Sequence, residues 1–288
     1  MRYQLDDVIR LPGEGQHQLR TGYKFTINDR SSFYDWYNAY FELQFQLQKL
    51  ADADGYTAAD RITVINGAHS FIKHLMIKSA GKIIYNTDNL HNVTFVKNLL
   101  ELSDDYNSSV AKNSLWYLDS DGTTPNTSTG YEARHTLTKA ARGNAFNVGG
   151  KDVNGIFPLN RYSFLEELED KMLVPMQLQF NTKLNNDDEL IHKANAAANK
   201  RVVVNRFILW VPKLTPIDSM YDKFVSSFLK ETQWKYMPKM HEVSAPTKTC
   251  GFFQISAGID NVKHIFIYLE MITEMQMAID KPKLVRIQ

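Results

Sequence analysis

The sequence predicts an all-β fold, a sandwich interrupted by helical excursions. Two observations carry that expectation. In the run Tyr40-Phe41-Glu42-Leu43-Gln44-Phe45-Gln46-Leu47-Gln48, the apolar residues Phe41, Leu43, Phe45 and Leu47 share one parity, and Glu42, Gln44, Gln46 and Gln48 share the other. Successive side chains of a strand face opposite ways, so this is a strand with one dry and one polar side. On a helix the same apolar residues would spread around the circumference and leave no stripe to bury. Later in the chain, Met176, Leu178, Phe180, Thr182 and Leu184 alternate with Gln177, Gln179, Asn181 and Lys183 in the same way. Half-dry strands of this kind belong to antiparallel sheets. Runs of strands with helices confined to connections favour a sandwich over an alternating α/β fold.

The elements follow in order. Residues 23–27 alternate and stop at the turn-prone Asn28-Asp29-Arg30-Ser31. The Tyr40 strand ends where Asp and Gly supply turn geometry at 51–55. Residues 61–65 are a short β-branched run closed by Asn66-Gly67, and 74–78 with 82–85 flank Ser79-Ala80-Gly81 as a tight hairpin. Leu90, Val93, Phe95, Val96, Leu99 and Leu100 approximate a 3.6 period, which predicts a helix over 88–102. A polar loop follows at 119–130, a short helix at 131–142, and a loose stretch at 143–150. Strands resume at 155–159, 176–184 and 201–211, with a turn at 185–189. Met220, Phe224 and Phe228 at four-residue spacing predict a helix over 216–229. Residues 237–243, 251–256 and 262–269 are strand candidates beyond it.

Composition narrows the function. The 33 basic and 32 acidic residues are dispersed and nearly balanced, so direct reading of nucleic-acid sequence is not expected. Aromatic content is 12%, which suits sheet faces and large packed interfaces. The lone Cys250 excludes an intrachain disulfide framework and a cysteine-based zinc site. No apolar run reaches the length of a membrane span, and no leader is evident, so the chain is expected to be intracellular and not secreted. The sequons at Asn92, Asn107 and Asn126 then read as chance matches.

Chemical motifs fail one by one. The stretch 143–152 resembles a phosphate loop, but Ala145 falls where the first Gly is required and Asp152 where Ser or Thr is required. The eight His, at 17, 69, 74, 91, 135, 192, 241 and 264, lack metal-ligand spacing and read as sheet-edge or loop residues. Asp187-Asp188-Glu189 lies in a turn-rich stretch and reads as a solvated turn. Cys250 and His241 have no nucleophile motif around them. No catalytic, cofactor-binding or metal-binding residue is assigned, and no cofactor is expected.

Several phrases in order along the chain resemble one family. They are Phe33-Tyr34-Asp35-Trp36-Tyr37-Asn38-Ala39-Tyr40, Ile65-Asn66-Gly67-Ala68-His69-Ser70-Phe71-Ile72, Ala80-Gly81-Lys82-Ile83-Ile84-Tyr85 and Arg206-Phe207-Ile208-Leu209-Trp210-Val211-Pro212. Ser244-Ala245-Pro246, Gly251-Phe252-Phe253 and Asp260-Asn261-Val262-Lys263-His264 complete the set. Together they resemble the double jelly-roll major capsid proteins of Polinton/Maverick elements and adintoviruses, which also occur integrated in animal genomes.

The resemblance implies a viral-type jelly-roll sandwich with helical insertions over residues 1–214, a linker helix over 215–229, and a partial second jelly roll with a divergent tail over 230–288. It implies a structural, non-enzymatic subunit that trimerises into pseudo-hexagonal capsomers of an icosahedral shell. Its partners would be its own copies, neighbouring capsomers and a minor (penton) capsid protein, with the virion capsid as its destination. Residues 270–288 do not resemble the family; Met271, Met275 and Ala278 suggest a short helix there, and the tail reads as that of a truncated or frameshifted copy. The alternative is a carbohydrate- or ligand-binding jelly-roll protein, in which Trp116 or Tyr131 would stack on a sugar.

Overall fold

A computed structural model of the chain describes residues 22–28, 32–49, 62–120, 128–139, 151–169, 176–193, 200–214, 265–267 and 285–287. The chain divides into two compact units, Met1–Lys239 and Met240–Gln288. Among the described residues of the first unit, long strands build two antiparallel sheets. One sheet has the order β1-β8-β5-β6, formed by β1 (Gly22–Ile27), β8 (Leu178–Leu184), β5 (Ile72–Ser79) and β6 (Lys82–Thr87). The other has the order β10-β3-β7, formed by β10 (Lys200–Trp210), β3 (Tyr40–Lys49) and β7 (Val153–Pro158). Neighbours in space are mostly distant in sequence, and β1 and β3 go to different sheets. The architecture is mostly β with few helices.

The dry parity of the Tyr40 strand faces the other sheet. Phe41, Leu43, Phe45 and Leu47 are all 2% exposed or less. The ring of Phe41 lies 5.2 Å from Phe25 of β1, 6.3 Å from Phe180 of β8 and 5.0 Å from Phe207 of β10, so the two sheets meet through aromatic contacts. Strand β8 buries Leu178, Phe180, Thr182 and Leu184, the parity read from its sequence. In β10 the buried parity changes from Val202 and Val204 to Phe207 and Leu209. A bulge between Val204 and Arg206 takes up the extra residue, Asn205, and restores the register with β3.

The hairpin between β5 and β6 turns on Ala80 and Gly81, at φ +46° and +83°. Two consecutive positive φ values in a two-residue loop are the twist-matched hairpin geometry, which Gly and Asn adopt most easily. Ala80 is exposed and carries the cost of a Cβ in the left-handed region. Replacing Ala80 with Asn should therefore raise stability by up to about 1 kcal/mol, read from the urea midpoint at unchanged m-value.

Two short ribbons close the body: β2 (Phe33–Tyr34) with β11 (Lys213–Leu214), and β4 (Ile62–Val64) with β9 (Ile191–Lys193). The connection from β6 to β7 is a long excursion holding α1 (Leu90–Glu101), α2 (Asp104–Ser108) and α3 (Thr129–Thr138). The acidic stretch read as a solvated turn is instead one helical turn, α4 (Asp187–Leu190), held by a capping box between Asn186 and Glu189. Asp187 accepts the backbone N–H of Val202 at 2.8 Å, and Glu189 pairs with Lys73 at 2.9 Å. The second unit contributes β12 (Ile265–Ile267) paired antiparallel with β13 (Val285–Ile287). The helix expected at 216–229, the strands at 237–243 and 251–256, and the helix at Met271 to Ala278 lie outside the described residues, as do Cys250 and His241.

Candidate functional site

Two surfaces of the first unit are organised beyond what packing requires. The first is the outer face of the β10-β3-β7 sheet. The register sets Tyr40 between Trp210 and Pro158, Glu42 between Ile208 and Ile156, and Gln44 between Arg206 and Asn154. One end of the face is therefore aromatic and apolar, and the other is amide-rich. The indole N–H of Trp210 donates to Glu42 Oε2 at 2.6 Å. Towards the amide end, Gln48 donates to Gln46 Oε1 at 2.9 Å, Arg201 donates to Gln48 Oε1 at 2.9 Å, and Gln46 and Asn205 both donate to Asp152 Oδ1. Gln46 and Gln48 thus join Arg201, Asn205 and Asp152 in one connected hydrogen-bond array.

The second surface is the excursion. Its base is fixed to the sandwich by Asn66, whose amide donates to Tyr117 O and accepts from Tyr117 N–H, both at 2.8 Å. Trp116 is 1% exposed, packs its ring 5.6 Å from His69 and donates to Asn107 Oδ1 at 3.0 Å. Gly67, at φ +89°, leaves room for the His69 ring, which a Cβ there would meet at 2.1 Å. Farther along, buried Arg134 donates to Tyr117 O at 3.0 Å and sits 3.4 Å from Asp119. Ser128 caps α3 by accepting from Tyr131 N–H and also donates to Asp119 Oδ1. Asp119→Ala would leave a buried guanidinium without its counter-charge and should cost about 3–5 kcal/mol of unfolding free energy. Urea denaturation of the variant checks this, and Asp119→Asn should recover part of the loss through the Ser128 hydrogen bond.

Helix α1 buries only part of its apolar set, Leu90 and Val96. Thr94, Lys97 and Asn98 are buried, while Leu99 is 46% and Leu100 55% exposed. Thr94 shares a 2.6 Å hydrogen bond with Tyr162, and the Lys97 ammonium donates to Arg161 O and lies 3.1 Å from Glu166. These polar partners hold Thr94 and Lys97 inward, alongside the buried Leu90 and Val96. Tyr106 and Val110, a few residues farther along, are also exposed, at 38% and 51%.

The other sequence candidates disperse. His69 and His135 are core residues, 4% and 2% exposed, rather than edge or loop residues. His74 pairs with Asp88 at 2.7 Å, and His135 Nδ1 lies 2.8 Å from Ile62 O. Among the described residues no group of three His, Cys, Asp or Glu side chains could hold a metal ion. Of the phosphate-loop-like stretch, Asp152 is described and serves the amide array; 143–150 lie outside the described residues. Trp116 and Tyr131, the proposed sugar-stacking aromatics, are 1% and 0% exposed, so neither offers a face to a sugar. Asn107 is occupied by Trp116 and donates to Leu102 O. Among the described residues no helix is long and apolar enough to cross a membrane. The polar array and the outward leucines were not assigned a role from sequence; the Gln parity of β3 was the one legible signal.

No family model matches the chain, and no curated protein matches it. Among solved structures it is similar to the crystal structure of mavirus major capsid protein, at 10% identity and a TM-score of 0.37. That match covers 77% of this chain and 48% of the other, so the chain spans about half the length of that protein.

Proposed function

We propose that the chain is a structural subunit of a viral-type protein shell, built on a jelly-roll sandwich and acting through its surfaces rather than through catalysis. The observation that carries this reading is where the capsid-like phrases fall. Phe33 to Tyr40 forms β2 and the entry to β3, and Ile65 to Ile72 forms the His69 turn that feeds β5. Ala80 to Tyr85 makes the β5–β6 turn and most of β6, and Arg206 to Pro212 covers the part of β10 after the bulge. The last phrases, from Ser244 to His264, lie outside the described residues.

In this reading the subunit is that of a double jelly-roll capsid protein of the Polinton/Maverick and adintovirus type. It forms trimeric, pseudo-hexagonal capsomers, meets neighbouring capsomers and a minor capsid protein, and is intracellular before assembly in the virion. Sedimentation velocity and negative-stain electron microscopy of the purified chain test it. Trimers or shell fragments are expected. A well-folded product that stays monomeric at high concentration would defeat the assembly reading.

A further inference from the structure

The geometry points to a contact between two copies of this chain, in which the apolar, acidic tip of one excursion enters a basic-rimmed groove beside β7 of another. This rests on the shell-subunit reading and adds which surfaces meet. The tip places Leu99, Leu100, Tyr106 and Val110 in solvent within a dozen residues, with the exposed Asp104 and Asp105 among them. Four large apolar side chains exposed within one short stretch of chain offer apolar surface for a contact.

The groove has a volume of about 300 Å³ and is walled by Leu115, Leu137 and Ile156, with the exposed Lys112 and Lys151 also lining it. Asp152 lines it too, but its Oδ1 already accepts the amides of Gln46 and Asn205. Acid and leucine on one surface thus answer lysine and an apolar wall on the other. Asp152, Asn154 and Ile156 also border the outer face of β7, so the groove is continuous with the sheet face carrying the amide array. Tip and groove adjoin, with Val110 of the tip and Lys112 of the groove two residues apart, so the contact can be exchanged reciprocally between two copies or repeated head-to-tail into a ring.

The test uses the full chain. Lys112→Glu with Lys151→Glu, and separately Asp104→Lys with Asp105→Lys, should each weaken self-association at least tenfold in sedimentation velocity. Mixing the two charge-reversed chains should restore pairing between unlike chains, because each tip then meets a groove of opposite charge, while a three-membered ring keeps one mismatched contact; raised salt should weaken the parent contact. Leu100→Asp should weaken association while leaving the melting temperature within a few degrees of the parent. An oligomer indifferent to both charge reversals, or no recovery on mixing, overturns this contact and leaves the shell reading standing. Sensitivity at the tip alone means another partner surface receives it, and also overturns the groove assignment. A parent that is monomeric at every concentration overturns both.

Discussion

Phe41→Ala should destabilise the first unit by about 3–5 kcal/mol, a large share of the roughly 5–15 kcal/mol that holds an ordinary domain folded. Phe41 is fully buried near the start of β3, the middle strand of the β10-β3-β7 sheet, and lies against Phe25 and Phe180 of the facing sheet and Phe157 and Phe207 of its own. Truncation removes the transfer energy of the ring and leaves a cavity between two sheets whose backbones are tied by hydrogen bonds and cannot collapse into it. Phe41→Leu keeps most of the volume and should cost clearly less. Urea unfolding of both variants separates the outcomes. Equal losses for Ala and Leu would show that the aromatic cluster does not set the sandwich's stability.

Acid should destabilise the fold well before its carboxylates are protonated. Burial, with the nearby His91 and Arg161 charges adding to it, holds the His69 imidazole down to about 3. Burial also lowers His91 to about 4, where Lys73 acts in the same direction and Glu189 opposes it. His192 is lowered as well, first by burial and then by Arg134. In the unfolded chain these groups take up protons below about pH 6.5, whereas the folded chain excludes them until the lowered values are reached. The unfolded state therefore binds more protons across this window. Stability is full above about pH 6.5 and falls steadily as the pH drops towards 4.

Each pH unit should cost about 1.4 kcal/mol per excluded imidazole, so His69 alone weakens the fold by about 3 kcal/mol between pH 6.5 and 4. The loss is felt first around Trp116, whose ring packs against His69 at the base of the excursion. Urea midpoints measured at pH 7, 5 and 4 check this, with Trp116 fluorescence as a local probe. A His69→Gln, His91→Gln chain should show a much flatter profile. An unchanged slope in that double variant would remove these histidines from the explanation.

Much of the sandwich was legible along the chain because a strand's face is set locally. The parities of β3 and β8 needed only the sequence period of two, and both proved to be the buried faces. The Ser79-Ala80-Gly81 hairpin was legible because its turn residues are also local. The β-branched run at 61–65 was legible and became β4, but its pairing with β9 and the whole β2–β11 ribbon were not, since such short strands exist only through partners far away in sequence. Periodicity found α1, whose Leu90 and Val96 are buried, but did not show that Leu99 and Leu100 face solvent while Tyr162, Arg161 and Glu166 hold Thr94 and Lys97 inward. The histidines were misread for a similar reason. A turn sequence such as Gly67-Ala68-His69 does not reveal that Trp116 will cover it.

The sequence by itself determined that the chain builds sheets and which parity of β3 and of β8 is dry. Those properties depend on the alternation of neighbouring side chains and on residue type. The tertiary structure decided the order β10-β3-β7, the turning of Leu99 and Leu100 to solvent, and the joining of Gln46, Asn205 and Asp152 into one array. These are contacts between residues far apart in sequence, and only the competition among all buried surfaces and polar partners of the folded chain selects them.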